Sequence, residues 1–120
     1  MHFQVIKDDY YNKLIKDLKD KVPEFQSVFD EEDGVYPILG EFSRFVIENI
    51  NDEILSKKSF EFIDHAVHVG GNETEDAIVL QIFQPVYDDE LLVAKARNHL
   101  SGKALEIFEK FKKRYDEDSH

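Results

Sequence analysis

Apolar residues recur at helical spacing along most of this chain. Between Asp8 and Val22 they fall at Tyr11, Leu14, Ile15, Leu18 and Val22, with Lys13, Lys16, Asp17, Lys19 and Asp20 on the wet side. Spacings of three and four residues predict an amphipathic helix. Asp8 or Asp9 can cap its amino end. Pro23 stops it, because the residue before a proline avoids the α region.

Glu24 to Tyr36 reads as a connection. Phe25, Val28 and Phe29 are expected to make a short helical turn folded back onto the core. Asp30-Glu31-Glu32-Asp33-Gly34 then forms a mobile, strongly negative tip. Pro37 suits the first turn of a second helix, where its missing N–H costs nothing. Ile38, Phe42, Phe45, Val46 and Ile50 line one face of that helix. Gly40 within it costs about 1 kcal/mol relative to Ala, which points to close approach of a neighbour.

Asp52 is placed to cap a third helix running to about Val69, with Leu55, Phe62, Ile63, Ala66 and Val69 inward and Gly70-Gly71 as its stop. Asn72 and Glu75 approximate a capping box for a fourth. From Ala77 to Val86 the pattern is apolar almost all round, as expected of an element buried on several sides. The run is rich in β-branched residues, so periodicity alone leaves a buried strand open. The cap before it and the helical neighbours favour a central helix, kinked or ended by Pro85. Asp88, Asp89 and Glu90 open a short fifth helix carrying Leu91, Leu92 and Ala96. After Ser101-Gly102 a last helix carries Ala104, Ile107, Phe108, Phe111 and Tyr115. Lys110, Lys112, Lys113 and Arg114 oppose the negative end of its dipole.

The expected fold is therefore all-α: one domain over residues 1–120, with five to six helices packed as antiparallel hairpins in a helical-repeat-like manner. No sequence period supports true repeats. The ends, 1–7 and 116–120, are expected to be flexible. At 120 residues the chain can bury one core without staples, and its ten Phe and five Tyr supply that core.

Charge sharpens the picture. Twenty-six acidic residues against fifteen basic ones give a net charge of −11. Such a field repels nucleic acid and anionic lipid and speeds encounter with a basic partner. The chain has no Cys, hence no disulfide or thiolate metal site. The first residues lack the apolar stretch of a signal peptide, and nothing approaches the roughly 20 apolar residues of a membrane span. These features predict a cytoplasmic protein.

Candidate chemistry is sparse. Glu61, His65 and His68, with Asp64 alongside, share one helical face at metal-ligand spacing. A second helix with matching ligands is missing, and exposed polar residues look the same, so no metal site is expected. No serine has a nucleophile-elbow context and no glycine-rich phosphate loop exists. Carboxylates are too numerous for any pair to be informative. The expectation is a protein without enzymatic activity and without a cofactor.

Three stretches carry a resemblance: Val22-Pro23-Glu24-Phe25, then Pro37-Ile38-Leu39-Gly40-Glu41-Phe42-Ser43-Arg44-Phe45, then the apolar run from Ala77 to Val86. Their order, spanning most of residues 10–115, resembles short all-helical bacterial proteins. It is similar to helical immunity proteins of contact-dependent growth inhibition and related polymorphic toxin systems. Gln84-Pro85 departs from the pattern, where an uninterrupted helix is expected. The resemblance implies a protein that binds a cognate toxin domain and blocks it, with no catalytic residues.

Charge supports that implication, because a nuclease cleft must be basic to hold phosphates and carboxylates suit it. The expected partner is thus a basic toxin, such as an RNase domain, and neither nucleic acid nor membrane. The expected contacts are Asp30, Glu31, Glu32 and Asp33 with Tyr36 beside them, then Asp88, Asp89 and Glu90 with Tyr87. Tyr is enriched as an interface anchor. The alternative is a general protein-interaction or regulatory helical module.

Overall fold

A computed structural model describes residues 8–118, and among them there are helices and no strands. A 3-10 turn (Asp9–Lys13) leads into α1 (Leu14–Lys21), which stops before Pro23 as expected. The connection carries a second 3-10 turn (Glu31–Asp33) before α2 (Val35–Glu48). Then come α3 (Glu53–Val69) and a long rod made of α4 (Asn72–Ile78), a π-helical segment (Val79–Phe83) and α5 (Gln84–Tyr87). The chain ends in α6 (Glu90–His99) and α7 (Gly102–Asp118). Counting the rod once, the described residues form six helices in a single all-α domain.

The rod explains the Gln84-Pro85 interruption. Proline removes one helical hydrogen bond and its ring crowds the carbonyl four residues back, here Gln81. Gln81 lies inside the π segment, and the Gln84 amide reaches back to the Val79 carbonyl. The wider turn absorbs the proline, and the backbone stays helical from α4 through α5. Ala77, Ile78, Val79, Ile82, Phe83, Val86 and Tyr87 are all buried. Leu80 is 44% exposed, so the rod keeps one wet edge rather than being covered all round.

α2 lies along the π segment, while α3 packs against α1, α4 and α7. Phe42, Phe62, Phe83 and Phe108 are the largest fully buried side chains. Two ring clusters organise the core. Phe25, Phe42 and Phe62 meet edge to face with centroids 5.2 and 5.6 Å apart. Phe83 and Tyr87 flank Phe108 at 5.0 and 5.1 Å.

Caps settle where the helices begin. Asp52 accepts the Leu55 amide at 3.0 Å, as its position predicts. The Asn72/Glu75 box does not form. The cap position is Gly71, and the Thr74 amide is instead bound by Asp8. Other expectations also yield. Val69 and Leu91, which the spacing places on apolar faces, are exposed, each lying near a helix end. Lys112 is buried, its ammonium held by Glu90 and Asp116. α7 is helical through Asp118. The expected flexibility of 1–7 and of 119–120 lies outside the described residues.

Candidate functional site

The connection from Glu24 to Gly34 is the least regular part of the described chain, and it is pinned to three helices. Lys58 of α3 reaches Glu24 at 2.6 Å, and Lys19 of α1 reaches Glu31 at 3.3 Å. Glu41 of α2 forms the central bracket. Its carboxylate accepts from the Ser27 hydroxyl and from the Val28 amide at 3.1 Å. The Ser27 oxygen in turn accepts from the Phe29 amide at 3.0 Å. Phe25 anchors the segment from below, buried against Phe42 and Phe45.

Above that bracket the chain turns outward. The expected helical turn of Phe25, Val28 and Phe29 does not form; only Phe25 folds back. Val28 is 86% exposed and Phe29 40%. The amides that would build such a turn are already spent on Glu41 and Ser27, which leaves the two apolar side chains pointing to solvent.

The acids follow directly. Asp33 accepts the Asp30 amide at 2.9 Å, one arm of a capping box, and the Asp33 amide also meets the Asp30 carbonyl at 2.9 Å as a backbone turn bond. The expected mobile tip is thus a 3-10 turn, closed by Gly34 at φ +97°. All four carboxylate residues are exposed, and Tyr36 is 37% exposed beside them. A cleft of about 480 Å³ lies between Lys19, Ser27, Phe29, Asp30, Glu31 and Glu32. Among the described residues no hydrogen bond or ion pair reaches Glu32.

The second acidic group differs. Tyr87 is buried, and its hydroxyl donates to the Phe108 carbonyl at 2.7 Å, so it cannot serve as an exposed anchor. Burial pushes its pKa upward, with Glu109 adding to the effect. A tyrosine near a helix end looks solvent-facing in sequence, but the rod turns this one into the α7 interface. Asp88, Asp89 and Glu90 are exposed yet employed internally. Asp88 accepts from Tyr115, Asp89 caps α6 through the Leu91 amide at 2.8 Å, and Glu90 holds Lys112 at 3.0 Å.

Glu61, Asp64, His65 and His68 do line one cavity, of about 370 Å³, facing the start of α7. Two of the four are engaged elsewhere. Asp64 accepts from the Ser101 amide and hydroxyl at 3.1 and 2.9 Å, tying α3 to the α6–α7 join. Burial raises the Asp64 pKa against those two bonds. His65 leans edge-on against Tyr10, with its Nε2 3.8 Å from Asp17. Among the described residues no three His, Asp or Glu side chains are placed to share a metal ion.

The acids at 30–33 are plain in the sequence, and what accompanies them is not. Val28, Phe29 and Glu41 were legible only in part. Phe25 and Phe29 are four residues apart, which imitates a helix face. The better signal was that Val28 and Phe29 have no apolar partner three or four residues onward.

Fold and surface together define a small, acidic, all-α domain whose exposed apolar residues include a pair directly before a run of four carboxylates. The chain belongs to the family described as Domain of unknown function (DUF7674), whose model matches residues 15–117. Neither a curated protein nor a solved structure matches it. Among the described residues, no helix is long and apolar enough to cross a membrane.

Proposed function

We propose that this protein is a binding protein that neutralises a basic partner by occupying it, and that the partner is a cytoplasmic toxin domain of nuclease type. The observation that carries this reading is the ordered acidic turn at Asp30–Asp33, exposed beside Tyr36 and joined to an exposed apolar pair. An apolar centre within a polar rim is the usual anatomy of a protein interface. A net charge of −11 adds long-range attraction for a cationic cleft. The toxin assignment draws on the resemblance to immunity proteins. The mode of action is steric and electrostatic, with no chemistry performed on the partner.

An immunity gene lies directly downstream of its toxin gene. Co-expression with the toxin domain encoded immediately upstream, followed by size-exclusion chromatography and intact mass, tests the reading. A one-to-one complex with unmodified toxin is expected. Modified toxin, inhibition at sub-stoichiometric ratios, or the absence of an upstream toxin gene contradicts it. The last outcome would point to the general interaction module instead.

A further inference from the structure

We infer that Val28 and Phe29 form the anchor that enters the partner's cleft, that the Asp30–Asp33 carboxylates guide it there, and that Glu41 is the positioning residue that presents it. This rests on the reading of the protein as a blocker of a basic cleft. It assigns the binding energy to a different set of atoms.

The argument starts from exposure. A valine at 86% exposure, followed by a half-exposed phenylalanine, keeps in water apolar surface that folding elsewhere buries. The segment is not left loose. Three hydrogen bonds from Ser27 and the Val28 and Phe29 amides, all made through Glu41 or Ser27, fix the backbone beneath these two side chains. A tip fixed in advance loses little conformational entropy on binding, which is the general route to high affinity from a small contact. Affinity in interfaces concentrates in a few desolvated residues, whereas rim charges act mainly on the rate of encounter.

The occupant follows from the surroundings. Asp30, Glu31 and Glu32 share a cleft with Phe29, with Lys19 as the neighbouring cation on it. A surface that accepts Val28 must therefore be apolar at its floor and cationic at its rim. A nuclease cleft has that rim, since it must bind phosphate. Four other apolar residues among the described ones are more exposed than Phe29: Leu91 at 72%, Ile54 at 69%, Val69 at 45% and Leu80 at 44%, and none exceeds Val28. Leu91 also neighbours three acids, but those serve Tyr115, the α6 cap and Lys112.

The probe is the purified toxin domain encoded upstream, titrated by calorimetry with the full-length chain. Val28→Ser is expected to raise Kd at least tenfold and Val28→Ser/Phe29→Ser further, with unchanged thermal midpoints. Leu91→Ser and Ile54→Ser are expected to leave Kd within twofold. Glu41→Ala is expected to raise Kd at least fivefold and to speed hydrogen exchange at the Val28 and Phe29 amides. Glu41→Gln, which keeps an acceptor oxygen, should recover part of both. Wild-type affinity in Val28→Ser, or a loss in Leu91→Ser alone, overturns the anchor and leaves the proposed function standing. No binding by the wild type overturns both.

Discussion

Asp8 and Thr74 stand 66 positions apart and are joined by a hydrogen bond, the Thr74 amide donating to Asp8 Oδ2 at 2.7 Å. The other oxygen of the same carboxylate accepts the Tyr11 amide at 3.2 Å. One side chain thus caps two helical starts and ties the amino-terminal turn to the rod. Replacing it strands the Thr74 amide, while the Tyr11 amide keeps the Asp8 carbonyl at 3.1 Å. Asp8→Ala is expected to destabilise the fold by about 2 kcal/mol, the upper range for a lost cap. Urea unfolding measures it, and Asp8→Asn, which keeps an acceptor, should cost less.

The same carboxylate predicts a pH dependence. Burial pushes the Asp8 pKa up, but bonds from Thr74, Gly71 and Tyr11 outweigh it and hold the group below the ordinary carboxylate value. The unfolded chain then binds its proton first as pH falls. The contribution is complete above the unfolded value of about 3.9 and is lost as pH drops through the lower folded value. The stability gap between wild type and Asp8→Asn should therefore be flat from neutrality to mildly acidic pH and close below about pH 4. A gap that widens on acidification contradicts the assignment.

Two glycines should respond in opposite directions to alanine. A Cβ at Gly70 would lie 2.6 Å from both the Ala66 carbonyl oxygen and the Thr74 side chain, so backbone would have to move. At Gly40 the contact is the end of the Gln81 side chain at 3.1 Å, which can swing aside. Gly70→Ala is expected to destabilise by about 2–3 kcal/mol, the range of overpacking. Gly40→Ala should stabilise by about 0.5 kcal/mol through helix propensity, less the cost of moving Gln81. Thermal unfolding of the pair decides both.

Lys112 tests how much its ion pairs matter. Its stem is covered, while Glu90 and Asp116 lie largely in solvent with side-chain exposures of 77% and 56%. Removing the cation therefore strands no buried charge. Lys112→Met, which keeps the stem's bulk, is expected to stay within about 0.5 kcal/mol of wild type. Lys112→Ala should lose about 1–2 kcal/mol through packing. Equal losses in both would place the energy in the charge instead.

Helical periodicity was enough to predict the all-α class and most buried stripes, because Leu14, Leu18, Phe42, Phe62 and Phe108 have strong local neighbours at helical spacing. Non-local facts were out of reach. The cap of α4 comes from Asp8, and no local pattern announces a partner 66 residues away. The π segment depends on how the rod absorbs Pro85. In the candidate site the acids are visible as a run, whereas the hydrogen bonds that Ser27 and Val28 make to Glu41 of α2 are not recorded in composition. Tyr87 failed as an anchor because its burial is set by α7.

Exposed charges away from caps should matter to binding and not to folding. Glu31→Gln/Glu32→Gln leaves the Asp30–Asp33 box intact and removes only Lys19 as a surface pair. Its unfolding free energy should stay within about 0.5 kcal/mol of wild type. A larger loss would make these acids structural.

The central claim is that a basic cleft is captured by acidic steering onto a fixed loop. Stopped-flow association with the upstream-encoded toxin domain, across a series of salt concentrations, tests it most directly. For wild type the association rate should fall by about tenfold or more from low to high salt while dissociation changes little. Glu31→Gln/Glu32→Gln should associate more slowly at low salt and show a shallower salt dependence. Association that ignores salt, or an identical salt dependence in wild type and variant, would contradict the account.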